Sequence, residues 1–342
     1  MKQRNINLDV IRSVAVMYIM CIHFSEYAGF YNGILAGPTM YVGTIMRNCF
    51  IICVPMFLLI TGYLQCKKNL TTSYFKGIGR ILLIYGLSCI PIWLFRAFYY
   101  GETFTIGSLI KSYLGFEGYG WYIAMYIGLF CLIPFLNLIF NNLENKKQRQ
   151  LLLLVLLFIT GFPSLQDIIG FQIVPDFWVE FYPITYYFIG AYIREYANDI
   201  KFSATKLFFL YIASVVMVGT IIFGLSYNKF YYEANVFRDW ANLLYVCTST
   251  LLFLFLLKCD FSKMPNILKK FFQTTSRISL QLFLVSLVFD AYIYSIFNMY
   301  FVSFGDKLIR FFIPTTLVFT CSFVVALIID FIYNCIQKIS AR

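Results

Sequence analysis

Long runs of apolar residues recur along the chain, separated by short polar segments. A helix needs about 20 mostly apolar residues to cross the hydrocarbon of a bilayer, and ten segments fit this pattern. They lie at about 8–28, 42–65, 78–100, 119–141, 149–164, 181–195, 205–226, 240–258, 278–300 and 310–336. The pattern predicts an all-α fold, a polytopic bundle of about ten transmembrane helices in a single integral membrane domain over residues 1–342.

The composition supports this interpretation. Apolar residues make up 61% of the chain and charged residues 13%, whereas about a quarter of the residues of a soluble protein are charged. The net charge of +11 would by itself also suit nucleic-acid binding. If the helices alternate in direction, however, 19 of the 27 lysines and arginines fall on the side of the N-terminus and seven on the other. This bias predicts cytoplasmic N- and C-termini in a multi-pass protein of the plasma membrane that binds no nucleic acid.

The first predicted span carries charged groups that are expensive inside a bilayer, where an ionisable side chain costs roughly 2.5–3.5 kcal/mol. Arg12 and His23, the only histidine, are eleven positions apart. Because eleven residues make close to three helical turns, both side chains project from one face, about 16 Å apart along the axis. Asp9 lies one turn before Arg12 and Glu26 one turn after His23, so each basic group has an acidic neighbour on that face.

Two interpretations of this face are open. In the structural one, Arg12 pairs with Asp9 at a helix end and His23 forms hydrogen bonds within the bundle. In the chemical one, His23 accepts and donates a proton near neutral pH, the role for which histidine is best suited. The membrane setting and the absence of a second histidine favour the chemical interpretation.

The arrangement of Arg12, ten further residues and His23 in the first of ten spans resembles the acyltransferase-3 family of integral membrane acyltransferases. Thr61 stands where serine is commoner in that family, and Lys76 where arginine is frequent. Ser286 and Gly120 occupy places where relatives often carry a histidine or another polar group, so a mechanism that needs a second histidine does not suit this chain. Four other segments are similar to family motifs: residues 57–64, 74–80, 121–134 and 188–192.

The resemblance implies an O-acyltransferase. It implies transfer of an acetyl or succinyl group from cytoplasmic acyl-CoA to a hydroxyl of a cell-envelope or exopolysaccharide glycan. The co-substrate would be acyl-CoA, with acetyl-CoA as the first choice, and no metal would be needed. The partners would be a carbohydrate acceptor, membrane lipids and other membrane proteins of polysaccharide biosynthesis.

The same resemblance implies roles for individual residues. Arg12, together with Arg80 and Lys76 near the start of span three, would hold the phosphate groups of acyl-CoA, because guanidinium binds phosphate bidentately. His23 would deprotonate the acceptor hydroxyl or pass the acyl group outward. Glu26 would orient the imidazole of His23.

Other residues are more ambiguous. Trp121 and Tyr122 would stack on sugar rings, although anchoring at the membrane interface is the commoner explanation for such residues. Arg47 and Arg96 lie near the outer ends of spans two and three, where each either extends to the interface or takes part in function. Two acids are predicted inside spans nine and ten, with no partner evident from the sequence: Asp290 and Asp330.

Two other classes of function are alternatives. A carrier that exports or flips a polysaccharide or a lipid-linked sugar would also have many kinked helices. However, no inverted repeat is visible, and the charges within the spans concentrate on span one instead of at matched positions in two halves. A structural scaffold would require no such charges. The sequence therefore favours the acyltransferase hypothesis.

Overall fold

The computed structural model describes residues 5–231 and 239–340, with the backbone alone at residues 167–169 and 239. All regular secondary structure in these ranges is helical, apart from one isolated antiparallel bridge between Ile34 and Phe230. The predicted all-α class is therefore confirmed. The chain forms two compact units: the first contains the residues up to Lys68 and Ile133–Gln273, and the second contains Asn69–Leu132 and the residues from Thr274 onward.

The first unit takes its helices from both halves of the chain. They are α1 Ile6–Tyr27, α2 Gly37–Phe50, α3 Cys53–Gln65, α8 Lys146–Gly161, α9 Pro163–Ile169, α10 Tyr182–Tyr196, α11 Ala204–Leu225 and α12 Leu243–Lys258. The second unit contains α4 Thr72–Phe75, α5 Ile78–Tyr100, α6 Ile106–Leu114, α14 Ser279–Tyr300, α15 Phe304–Ile309 and α16 Phe312–Ser340. Two helices contribute residues to both units: α7 Trp121–Asn142 and α13 Asn266–Arg277.

Seven helical segments of the described chain are long and apolar enough to cross a membrane. They are Ile6–Asn32, Gly37–Gln65, Thr72–Tyr100, Ile106–Asn142, Ala204–Leu225, Ser279–Tyr300 and Phe312–Ser340. The protein is thus a multi-pass membrane protein. Helices also lie at the other three predicted spans, but α8, α10 and α12 have only 16, 15 and 16 residues. The full set of ten spans and the cytoplasmic termini stay predictions.

The second candidate span contains a break that the apolar pattern did not predict. Helix α2 ends at Phe50 and α3 begins at Cys53. Pro55 has no backbone N–H, so it cannot donate a hydrogen bond to the carbonyl of Ile51 four residues earlier. The interruption at Ile51 and Ile52 follows from this missing bond. It divides the segment into two helices that both contact α1, while α2 also packs against α11 and α3 against α10.

Packing within each unit follows the apolar faces of its helices. In the first unit, α1 packs against α2, α3 and α12, while α3 packs along α10 and α11 lies against α2 and α12. In the second unit, α14 packs between α5 and α16. The first span of the sequence is therefore an inner helix of its unit, with neighbours on several sides.

Candidate functional site

Helix α1 holds the predicted basic pair in one unbroken helix. The side chain of Asn5 accepts a hydrogen bond from the Asn7 amide and caps the N-terminus, and the helix continues without interruption to Tyr27. Arg12 is half-buried, and His23 is only 8% exposed. Because the eleven-residue spacing lies within a continuous helix, the two side chains leave α1 on the same face.

The turn of α1 around Arg12 is anchored to other parts of the first unit. The side-chain Nδ2 of Asn7 donates to three carbonyls at the end of α12, those of Leu256, Leu257 and Cys259, at 2.7–3.1 Å. The hydroxyl of Ser13 donates to the carbonyl of Asp9 at 2.8 Å and to that of Phe272, in α13, at 3.0 Å. The bonds from Asn7 satisfy carbonyls at the end of α12, and together these bonds hold the residues on both sides of Arg12 in place.

His23 lies inside the first unit, one turn before Tyr27. The ring centroids of His23 and Tyr27 are 6.4 Å apart, with the planes at 67° in an edge-to-face arrangement. On the face that joins Arg12 to His23, the intervening Val16 and Ile19 are buried. Glu26 is exposed, and its predicted role in orienting the imidazole stays a prediction.

Arg47, which was predicted to lie near the outer end of span two, is a buried cation. The residue is 2% exposed, so its side chain does not extend to an aqueous surface. Nε donates to the hydroxyl of Tyr31 at 2.7 Å and Nη1 to that of Tyr245 at 3.3 Å. The ring of Tyr231 lies 4.3 Å from Cζ, within the range of a cation–π interaction. The tyrosyl hydroxyl of Tyr245 also donates to Oδ1 of Asn48, so this cage joins α2, α12 and the segment after α11.

Two of the motifs that carried the resemblance pack directly on each other. A Cβ atom at Gly62 of α3 would lie 2.0 Å from the carbonyl oxygen of Tyr187, and one at Gly190 of α10 would lie 2.1 Å from that of Leu59. The two helix backbones are therefore in contact, as small residues allow in membrane proteins. Thr61, the replacement for the commoner serine, donates to the carbonyl of Phe57 in its own helix, so its hydroxyl has a structural partner.

Asn137 is a buried polar residue that the sequence analysis missed. Its Nδ2 donates to the carbonyls of Gln65 and Lys68, both at 2.8 Å, and its Oδ1 accepts a hydrogen bond from the hydroxyl of Tyr187 at 2.6 Å. The side chain thus ties the end of α3 to α10. An asparagine three residues after Pro134 in an apolar run was the available signal, because buried amides require hydrogen-bond partners.

The second unit contains the other residues that were predicted to bind acyl-CoA. Lys76 and Arg80 are both exposed around the start of α5. Cζ of Arg80 lies 5.6 Å from the ring centroid of Tyr333 on α16. Tyr74, from the same motif, donates to the carbonyl of Phe130 at 2.9 Å and stacks on its ring at 4.4 Å. The tyrosine of this motif therefore packs, whereas its basic residues reach the surface.

Trp121 and Tyr122 belong to an aromatic cluster built on α14. Tyr122 contacts the ring of Phe283 edge-on at 5.8 Å, and Trp121 contacts Tyr122 edge-on at 5.9 Å. Tyr119 stacks on Phe283 at 5.3 Å, and its hydroxyl donates to Oδ2 of the fully buried Asp290 at 2.8 Å. Asp290 is seven residues after Phe283, two turns along the same face of α14, so α14 holds Tyr119 at both its ring and its hydroxyl.

The turn before Trp121 has no room for larger residues. A Cβ atom at Gly120 would lie 2.6 Å from the hydroxyl of Tyr85. Gly118 has a φ of +59°, which favours glycine. The absence of a polar side chain at position 120 is therefore a consequence of packing. Ser286, where relatives often have histidine, is buried and donates to the carbonyl of Phe283.

Asp330 of α16 has partners within the second unit. Its Oδ2 lies 3.3 Å from Nε of Arg277 and accepts a hydrogen bond from Nδ2 of Asn334 at 3.3 Å. Arg96, an ambiguous residue in the sequence, pairs with Glu102 at 2.9 Å and also with Glu117. Both residues therefore take part in ion pairs.

The predicted site residues divide between the two units. Arg12, His23 and Glu26 lie in the first unit, and Lys76, Arg80, Trp121 and Tyr122 lie in the second. In the residues that the structure describes, no group of three or more histidine, cysteine, aspartate or glutamate side chains could hold a metal ion.

Comparison with known proteins agrees with the motifs. A family model described as an acyltransferase domain, that of acyltransferase family 3, matches residues 5–334, nearly the whole chain. No curated protein and no solved structure gives a significant match. The match includes α1 with Arg12 and His23 as well as the paired glycine motifs of α3 and α10. The chain therefore belongs to the acyltransferase-3 family.

Proposed function

We propose that this membrane acyltransferase moves an acetyl or succinyl group from acyl-CoA to a hydroxyl of a cell-envelope or exopolysaccharide glycan in the plasma membrane. The observation that carries the proposal is the geometry of α1. In a chain of an acyltransferase family, this helix places a buried histidine and a half-buried arginine on one face, three turns apart. Histidine and arginine are the side chains that such a transfer needs for proton transfer and for phosphate binding.

In the proposed transfer, His23 acts as the general base. The imidazole takes the proton of the acceptor hydroxyl, and the oxygen attacks the thioester carbonyl to form a new ester. The carbon–sulfur bond breaks, and the CoA thiolate leaves and receives the proton. A buried imidazole suits this role because proton transfer to a positioned side chain typically accelerates a reaction about 10²–10⁴-fold. Glu26 would orient the imidazole.

Arg12 would bind phosphate groups of acyl-CoA, three turns away from His23 on the same face of α1. The separation of about 16 Å along α1 keeps the anionic end of acyl-CoA away from the reacting thioester. Carbonyl contacts on both sides of Arg12, through Asn7 and Ser13, hold this turn in place. Lys76 and Arg80, both exposed, are the basic residues that the second unit would contribute to donor binding.

Trp121 and Tyr122 would bind the glycan by stacking on sugar rings. Their rings meet edge-to-face instead of lying parallel, and both side chains are only partly buried. Each therefore retains surface that a sugar ring could cover. Family membership favours this enzymatic function over a polysaccharide or lipid-linked sugar exporter.

The proposal is tested in cells whose own copy of the gene has been removed. We expect His23→Ala to abolish acylation of the surface polysaccharide while the amount of membrane-inserted protein stays unchanged. Cys21→Ala is the matched control, because Cys21 lies two residues away on the same helix and has no proposed role. Acyl groups are measured as ester content of the purified polysaccharide. Undiminished ester content in His23→Ala cells would remove His23 from the mechanism.

A further inference from the structure

Helix α13 joins α12 to α14 and differs in character from both. Its residues 266–273 lie in the first unit. At about 100° per residue, Ile267, Leu268, Phe271 and Phe272 fall on one side of this helix. Lys269 and Lys270 lie at the two edges of that apolar side, each about 60° from its nearest apolar neighbour. This arrangement is typical of a helix that lies in a membrane interface with lysines reaching from its flanks toward lipid headgroups.

The apolar side of α13 is exposed at its N-terminal end. Ile267 is 78% exposed and Leu268 45% exposed, although both are large aliphatic residues. Exposure of this kind on a short helix between two apolar helices points to a lipid environment, because water would make it costly. Phe271 and Phe272 are half-buried.

The charges around this helix are mostly positive. Lys263 and Lys270 are exposed, and Lys269 donates to the carbonyl of Ser262 at 2.7 Å. The acid in this segment is Asp260. Hydrogen bonds from Ser262 lower its pKa, so it carries a negative charge at neutral pH. Three lysines against one aspartate leave a net positive surface beside the exposed apolar residues.

We infer that α13 is an interfacial helix whose apolar residues Ile267 and Leu268 enter the membrane while Lys263 and Lys270 bind anionic lipid headgroups. The complementary charge and the apolar exposure favour this occupant. The helix is also held near its middle, because the carbonyl of Phe272 accepts a hydrogen bond from Ser13, next to Arg12. Lipid binding at α13 is thus connected to the turn of α1 that carries Arg12. The inference does not depend on the acyl-transfer reaction.

Hydrogen–deuterium exchange of the full chain in lipid nanodiscs tests this inference. Nanodiscs of phosphatidylcholine are compared with nanodiscs that also contain phosphatidylglycerol. Each lysine near an anionic surface contributes roughly fivefold to binding. We therefore expect phosphatidylglycerol to slow exchange of the amides of residues 266–273 by up to about 25-fold. The Lys263→Gln/Lys270→Gln variant should lose this slowing.

A matched variant controls for total charge. Lys147→Gln/Lys201→Gln removes two exposed lysines elsewhere in the first unit and should keep the slowing, and exchange in α12 reports whether each variant is folded. Equal amide exchange of residues 266–273 in the two kinds of nanodisc would overturn the inference. So would loss of the slowing in the control variant Lys147→Gln/Lys201→Gln as well as in Lys263→Gln/Lys270→Gln. If CoA added to phosphatidylcholine nanodiscs gives the same slowing, the lysines bind a soluble phosphate ligand, and the lipid assignment is wrong.

Discussion

Two buried charged side chains, Arg47 and Asp290, have tyrosine residues as partners. Arg47 lies among Tyr31, Tyr231 and Tyr245, and Asp290 accepts a hydrogen bond from Tyr119. Tyrosine suits such positions because its ring packs like an apolar residue while its hydroxyl donates or accepts a hydrogen bond. The 27 tyrosines of the chain thus supply more than interfacial anchors, the role that composition alone suggests for them.

The Arg47 cage should contribute to stability. Hydrogen bonds to charged groups contribute about 1.5–3 kcal/mol each, although bonds inside membrane proteins average less. We expect Arg47→Met to lower the free energy of unfolding by about 2–4 kcal/mol. Arg310→Met is the matched control, because Arg310 also lies over an aromatic ring, that of Phe301, but its side chain is 40% exposed. It should cost less than about 1 kcal/mol.

Unfolding of both variants is measured in detergent with increasing denaturant. A loss for Arg47→Met no larger than that for Arg310→Met would show that the cage contributes little and that Arg47 is kept for another reason.

The bond between Tyr119 and Asp290 is tested by a double-mutant cycle. Tyr119→Phe and Asp290→Ala each remove the same hydrogen bond, so the double variant should lose less stability than the sum of the single losses. Contacting residues typically show a coupling of about 0.5–3 kcal/mol, and we expect about 1 kcal/mol or more here. Strictly additive losses would mean that the two side chains stabilise the second unit independently.

At the level of helices, glycine determines how closely α3 and α10 approach. Gly62 and Gly190 each face a backbone carbonyl of the other helix, with no space for a methyl group. Both residues lie in segments that resemble family motifs, residues 57–64 and 188–192, and the motifs alone assign them no structural role. The structure supplies that role, because their reciprocal positions bring the two backbones together.

Gly62→Ala and Gly190→Ala should each force the two helices apart. Overpacking typically costs about 1–3 kcal/mol and sometimes more, and we expect the upper part of this range because the obstructing atoms belong to the backbone. Gly79→Ala is the matched control, since no atom lies within 4 Å of a Cβ at this position of α5. Alanine there should be neutral or stabilising by about 0.5–1 kcal/mol.

Thermal unfolding in detergent separates these variants. Equal stability of the Gly62 and Gly79 variants would show that α3 and α10 are able to separate at little cost, contrary to the close contact described above.

For the whole molecule, the apolar pattern predicted the helical class and most of the spans. Among the described residues, seven segments are long and apolar enough to cross a membrane, which takes about 20 mostly apolar residues in a helix. The pattern failed where local chemistry intervened: Pro55 divides the second span, and α13 lies between two apolar helices as an amphipathic one. Both features depend on a few residues, whose effect is lost when hydropathy is averaged over a window of about 20 residues.

The candidate site was predicted less completely. The spacing of Arg12 and His23 could be read from the sequence because both lie on one helix, where periodicity gives the geometry directly. The Arg47 cage and the contacts of Asn137 and Asp290 join residues far apart in the chain. Such partners depend on tertiary packing, which a single sequence does not reveal.

The proposed role of His23 as the base in acyl transfer is tested with purified protein in nanodiscs. The measurement is transfer of radiolabelled acetyl from acetyl-CoA to polysaccharide from cells that lack the gene. We predict that the unaltered chain and Cys21→Ala transfer label at similar rates, and that His23→Ala is slower by at least about 10²-fold with unchanged thermal stability. Transfer by folded His23→Ala at the rate of the unaltered chain would show that His23 is not the base of the reaction.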